Sequence, residues 1–235
     1  MNAALIRVRA LIALDGPLAA TVLAVWQYFV VSVSFLGCLV PLFAFTTLVG
    51  WQATHLAVWL GAASLLPIVP AAYALLRGTR LLLAERGEAR AGRAFWNAFA
   101  KGCRHLWWAA AGTSLVALVL AYDLALLGGS DAVLLLVAAG AALAAALLIG
   151  VCVVAGSDGF GRPVETLTAA VKAIGRRPHI PLSWLLLTGL GLAATAIPLL
   201  GPALALFLPA LVGAGIHICN DALRLTRPDE TSHTP

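Results

Sequence analysis

The chain has 235 residues, 62% of them hydrophobic and 11% charged, with 15 Lys and Arg against 10 Asp and Glu for a formal net charge of +5. A soluble domain carries about 25% charged residues, so this chain cannot coat a soluble globule, and its mean hydropathy of +0.98 points to an integral membrane protein. The positive charge is therefore read as basic loops on one side of a bilayer, not as a nucleic-acid surface.

Residues 1–17 read as an N-terminal amphipathic helix, with Arg7 and Arg9 opposite Leu5, Val8, Leu11 and Ile12. They are not read as a secretory signal, because the apolar run from Leu18 is far longer than a signal core and no cleavage site clearly follows it. A first hairpin covers 18–76. Its first span, 18–45, is expected to break at Pro41, and Gly50-Trp51-Gln52 forms the outer turn. In its second span, 53–76, Pro67 and Pro70 are expected to kink or unwind the helix, which can run on to Leu83.

A basic elbow covers 77–104. Arg90, Arg93, Asn97, Lys101 and Arg104 recur every three or four residues, which gathers them on one helix face. Phe95, Phe99 and Leu106, with Ala98 and Gly102, take the other side. A second hairpin covers 105–155, with spans 105–127 and 132–155 joined at Gly128-Gly129-Ser130. A second elbow, 156–180, contains an amphipathic stretch at 163–177. There Val164, Leu167, Val171 and Ile174 form the apolar face, and Glu165, Thr168, Lys172 and Arg176 lie on another. A third hairpin, 181–220, turns at 198–202, and a polar tail, 221–235, ends the chain. The fold class is all-α: a membrane bundle of six transmembrane helices with two amphipathic elbow helices, in one membrane domain.

Charge sets the topology. Two basic residues precede span one, seven lie between spans two and three, four between spans four and five, and two follow span six; the three opposite loops hold none. By the positive-inside rule both termini and both elbows are cytoplasmic. Trp107, Trp108 and Trp184 fall at inner ends and Trp51 at an outer end, the places of an aromatic belt. The arrangement of basic amphipathic helix followed by hairpin occurs at 90–155 and again at 163–220, a weak internal repeat with Lys101 aligned to Lys172. Arg in place of Lys, with abundant Ala, Leu and Gly, points to a bacterial chain from a high-GC genome, and so to the cytoplasmic (inner) membrane.

Phe95-Trp96-Asn97-Ala98-Phe99-Ala100-Lys101, following Pro70-Ala71-Ala72-Tyr73-Ala74-Leu75, resembles the YesL-like family of bacterial membrane proteins. The resemblance runs over most of the chain from span one onward. Cys103-Arg104-His105 departs from the more uniformly basic or amide-bearing run expected there. The resemblance implies genomic association with carbohydrate uptake systems, as in some members of the family, and implies no catalytic residues.

The chain carries no H-E-x-x-H, G-x-S-x-G or Walker A motif, so no catalytic, cofactor or metal site is expected. Cys38, Cys103, Cys152 and Cys219 lack metal or disulfide spacing and read as small apolar fillers. The run 156–161 is Gly-rich but reads as a helix stop and flexible joint. Gly61, Ala62 and Ser64, the run 140–146, and Gly189, Gly191 and Ala193 read as close helix packing.

Ionisable groups in a membrane are candidate functional positions. Asp123 is a possible cation or proton site, against the plainer reading that it reaches the outer interface. His217 and Asn220 are a possible polar cluster, against interfacial solvation and helix capping. Arg90, Arg93, Phe95, Trp96, Phe99, Lys101 and Arg104 are the candidate contacts to the lipid bilayer or to a membrane transport complex. Two functions are carried forward: a non-enzymatic accessory or scaffold protein, and a small solute transporter or channel with proline-broken helices.

Overall fold

A computed structural model describes residues 17–52, 54–85, 90–128, 130–157, 159–198 and 201–222. The expected N-terminal helix up to residue 16, Arg86, and the polar tail from 223 lie outside the described residues. Among the described residues every regular element is helical. The helices are α1 (Pro17–Cys38), α2 (Val40–Leu48), α3 (His55–Ser64), α4 (Ile68–Glu85), α5 (Ala91–His105), α6 (Trp107–Leu127), α7 (Asp131–Ser157), α8 (Pro163–Arg176), α9 (His179–Thr195) and α10 (Gly201–Ala222).

Prolines place the breaks. The first expected span splits at Leu39, and Pro41 sits in the first turn of α2, where its missing N–H costs nothing. The second splits after Ser64. Pro67 lies in the turn, Pro70 in the first turn of α4, and the Ala71 N–H restarts the ladder on the Pro67 carbonyl at 3.0 Å. Among the described residues five segments are long and apolar enough to cross a membrane: Ala19–Cys38, His55–Glu85, Trp107–Leu127, Asp131–Ser157 and Gly201–Ala222. The remaining apolar helix, α9, has 17 residues, the short end of what spans a bilayer core. Leu48, Leu126 and Leu135 are 84%, 79% and 75% exposed. An apolar surface of this kind is stable only against lipid, so the chain is a multi-pass membrane protein built as an all-α bundle.

The hub is α4, which packs against α1, α5, α6, α7 and α10. It buries Val69, Pro70, Ala71, Tyr73, Ala74, Leu75, Leu76, Gly78, Thr79 and Leu82. Arg77 and Arg80 are therefore part of this long helix, which runs on to Glu85, close to the Leu83 that the sequence allowed. Small residues permit the close crossings. A Cβ on Gly102 would lie 3.1 Å from Pro70 Cα, and one on Gly213 would lie 3.0 Å from Thr79 Oγ1. Gly61 leaves room for the Trp51 ring, which meets Phe45 edge-on with centroids 5.0 Å apart. Gly191 faces Leu208 in the same way, whereas nothing lies within 4 Å of where a Gly189 Cβ would be.

The bundle closes its own polar groups. Pro209 interrupts α10, and the buried Ser32 of α1 donates to the Phe207 carbonyl (3.2 Å) and accepts from the Ala210 N–H (3.0 Å). Near the Pro67 break, Ser114 donates to the Ala62 carbonyl at 2.5 Å. Side chains thus satisfy backbone groups beside the helix interruptions, as an apolar medium requires.

Candidate functional site

Two clefts lie side by side at the end of the bundle where α4, α7 and α10 finish. The first, of about 260 Å³, is walled by α4 (Tyr73, Leu76, Arg77, Arg80), α7 (Cys152, Gly156, Ser157) and α10 (His217, Asn220, Asp221). The second, of about 480 Å³, lies between α4, α5 and the α7–α8 joint and includes Asn97 and Lys101. Tyr73, Arg77, Gly156 and Ser157 belong to both.

The shared wall follows from how α7 ends. A helix leaves its last carbonyls without partners and carries partial negative charge at its C-terminus. Arg77 and Arg80, one turn apart on α4, each donate from Nη1 to the Gly156 carbonyl, at 3.4 and 3.2 Å. Gly159, at φ 82°, then turns the chain. Phe160 lies between the His105 ring (centroids 4.4 Å apart, 17° between planes) and the Tyr73 ring (5.2 Å). The segment expected to be a flexible joint is therefore pinned by an aromatic stack onto α4 and α5.

His217 and Asn220 are brought together in the first cleft, but not by solvation or capping. The His217 Nε2 lies 2.7 Å from the Leu76 carbonyl. A carbonyl only accepts, so Nε2 carries the proton and donates across to α4. Asn220 is 2% exposed, and its Oδ1 accepts from Trp184 Nε1 at 3.0 Å. An indole N–H only donates, so this bond fixes the amide orientation and assigns Nδ2 to the other side. That Nδ2 is buried without a hydrogen-bond partner. Trp184 is 2% exposed and thus a core residue, not part of an interfacial belt, whereas Trp107 (66%) and Trp51 (48%) are exposed as a belt requires.

The α5 candidates divide. Arg93, Trp96, Lys101 and Arg104 are exposed, as is Arg90, which precedes the helix. Phe99 is half-buried and Phe95 fully buried. Phe95 therefore cannot be a contact to lipid or a partner; it is the anchor of α5. Asp123 lies half-buried on α6 beside Tyr122, whose hydroxyl is 2.8 Å from His55 Nδ1. These residues are remote from both clefts, and the structure joins neither Asp123 nor His55 to His217. Cys38 and Cys152 are buried fillers as expected, but Cys103 is exposed.

Sequence reading missed Arg77, Arg80 and Trp184. The first two were legible as a pair one turn apart, but their acceptor lies 76 or more residues away. No protein-family model, curated protein or solved structure matches the chain.

Proposed function

We propose that the protein is a non-enzymatic accessory or scaffold protein of the bacterial inner membrane, of the YesL-like type. It acts through its basic end on lipid or on a neighbouring transport complex, with carbohydrate uptake systems as the first partners to examine. The observation that carries this reading is the exposed face of Arg93, Trp96, Lys101 and Arg104 on a helix held rigidly to the hub by Phe95 and Gly102. A fixed basic and aromatic surface loses little entropy when a partner docks. Replacing Arg93, Lys101 and Arg104 together with Gln should abolish function, measured as growth or uptake in a deletion strain, while the protein still inserts. Full activity of the triple variant overturns the reading.

The same reading puts both termini and both elbows in the cytoplasm. A reporter fused after Gly129 then reads as external, and a cytoplasmic signal reverses the topology. The transporter alternative is less supported, because Ser32 and Ser114 already occupy backbone groups that proline-broken helices would offer a solute. Flux of sugars, ions or peptides in reconstituted liposomes would restore it.

A further inference from the structure

We infer that the cleft between α4, α7 and α10 is a binding site for a phosphate group, carried either by a lipid headgroup or by a free anion. The first reason is the Asn220 amide. Trp184 holds its oxygen, and its Nδ2, on a residue that lines the cleft, is buried just behind the wall with two donor hydrogens and no acceptor. A buried unmet donor is costly, and an acceptor in the cleft removes that cost once a small shift of the wall exposes the amide to it.

The second reason is the pair of guanidiniums. Each has five N–H donors, and Arg77 and Arg80 each use Nη1 on one shared carbonyl. The remaining donors at the cleft wall suit a group with several acceptor oxygens, and guanidinium forks match phosphate geometry. A single carboxylate would be saturated by one fork, whereas donors on two helices, α4 and α10, suit a tetrahedral group with more acceptor oxygens. Asp221 also lines the cleft and lies at its exposed end. It opposes a bare anion there but suits a headgroup that carries an ammonium next to its phosphate. The volume of about 260 Å³ is below that of pockets for drug-sized ligands, roughly 300–1,000 Å³, and fits one small polar group. Basic pockets between membrane helices hold anionic headgroups by the same physics.

The test uses the purified full-length chain in detergent and in nanodiscs, with thermal unfolding as the readout. Inorganic phosphate is titrated in detergent. Nanodiscs of phosphatidylethanolamine or phosphatidylglycerol are compared with nanodiscs of a phosphate-free glycolipid. Stabilisation by inorganic phosphate supports the site with a free anion as its source. Stabilisation by phospholipid alone supports it with the headgroup as source.

Asn220→Asp keeps the oxygen that Trp184 needs and removes the Nδ2 donors. Arg80→Gln, at an exposed position, is the second variant should the first fail to fold. Each should weaken the response about tenfold or more. A response unchanged in both variants, or no response to any phosphate in the native chain, overturns the proposal. The Arg93, Lys101 and Arg104 variant should respond like the native chain, which keeps this outcome separate from that of the α5 surface.

Discussion

The two elbow helices look alike in sequence, each basic, amphipathic and followed by a hairpin, yet they sit on the bundle in opposite ways. α5 turns its aromatic face inward. Phe95 and Ala98 are buried, Gly102 meets Pro70, and Gln27 of α1 accepts the Ala91 N–H at 3.1 Å, so a distant side chain caps the helix start. α8 buries only Thr166 and Ala170, with Ile174 laid against Gly150 of α7. Its apolar residues Val164, Leu167 and Val171 are 71%, 41% and 50% exposed. Its N-terminus is closed locally, by Glu165 Oε2 accepting the Arg162 N–H at 3.4 Å. One elbow is thus a structural wedge with a basic outer face, and the other leaves most of its apolar side uncovered by the bundle, the pattern of a helix that can lie in a membrane interface. Amphipathicity shows that a helix has a face to hide, but not whether protein or lipid hides it.

Mutations can break this contrast. The largest effect is expected from Phe95→Ala, which removes a fully buried ring and should cost about 3–5 kcal/mol, read as a drop in unfolding midpoint in detergent. An unchanged midpoint would mean that α5 is not wedged. Gly102→Ala should cost about 1–3 kcal/mol, because the new methyl meets the Pro70 backbone, which cannot rotate away. The same melting experiment checks it, and partial release of α5 should also raise proteolysis between α4 and α5. Trp184→Phe keeps most of the buried ring but leaves the Asn220 amide with no partner on either side, for a loss of about 1–3 kcal/mol.

The smallest effect on stability is expected in α8. Val171→Ser should change the midpoint by less than about 0.5 kcal/mol. Its consequence should appear instead as greater accessibility of a cysteine placed at Leu167 to a water-soluble thiol reagent. A large loss of stability from Val171→Ser would show that α8 is docked as firmly as α5, and would restore the equivalence that the repeat implied.

Much of the architecture was legible because it depends on local chemistry. Apolar runs marked the membrane helices, Pro41, Pro67 and Pro70 marked the interruptions, and Gly128 and Gly156 lie where α6 and α7 end. The spacing of Phe95, Ala98 and Gly102 marked the inward face of α5. The site was less legible. His217 and Asn220 could be singled out as polar residues in an apolar helix, but Trp184 gave no sign that it would hold the Asn220 oxygen from 36 residues away.

By itself the sequence determined that the chain is a multi-pass helical membrane protein, where its helices break, and which segments are amphipathic. These follow from hydropathy, proline geometry and helical periodicity, which act over a few residues. Only the tertiary structure decided that Arg77 and Arg80 hold the end of α7, that Phe95 is buried while Val171 is left exposed, and that Asn220 keeps an unmet buried donor beside a cleft. Each of these depends on which helices become neighbours, and that is set by packing between segments far apart in the chain.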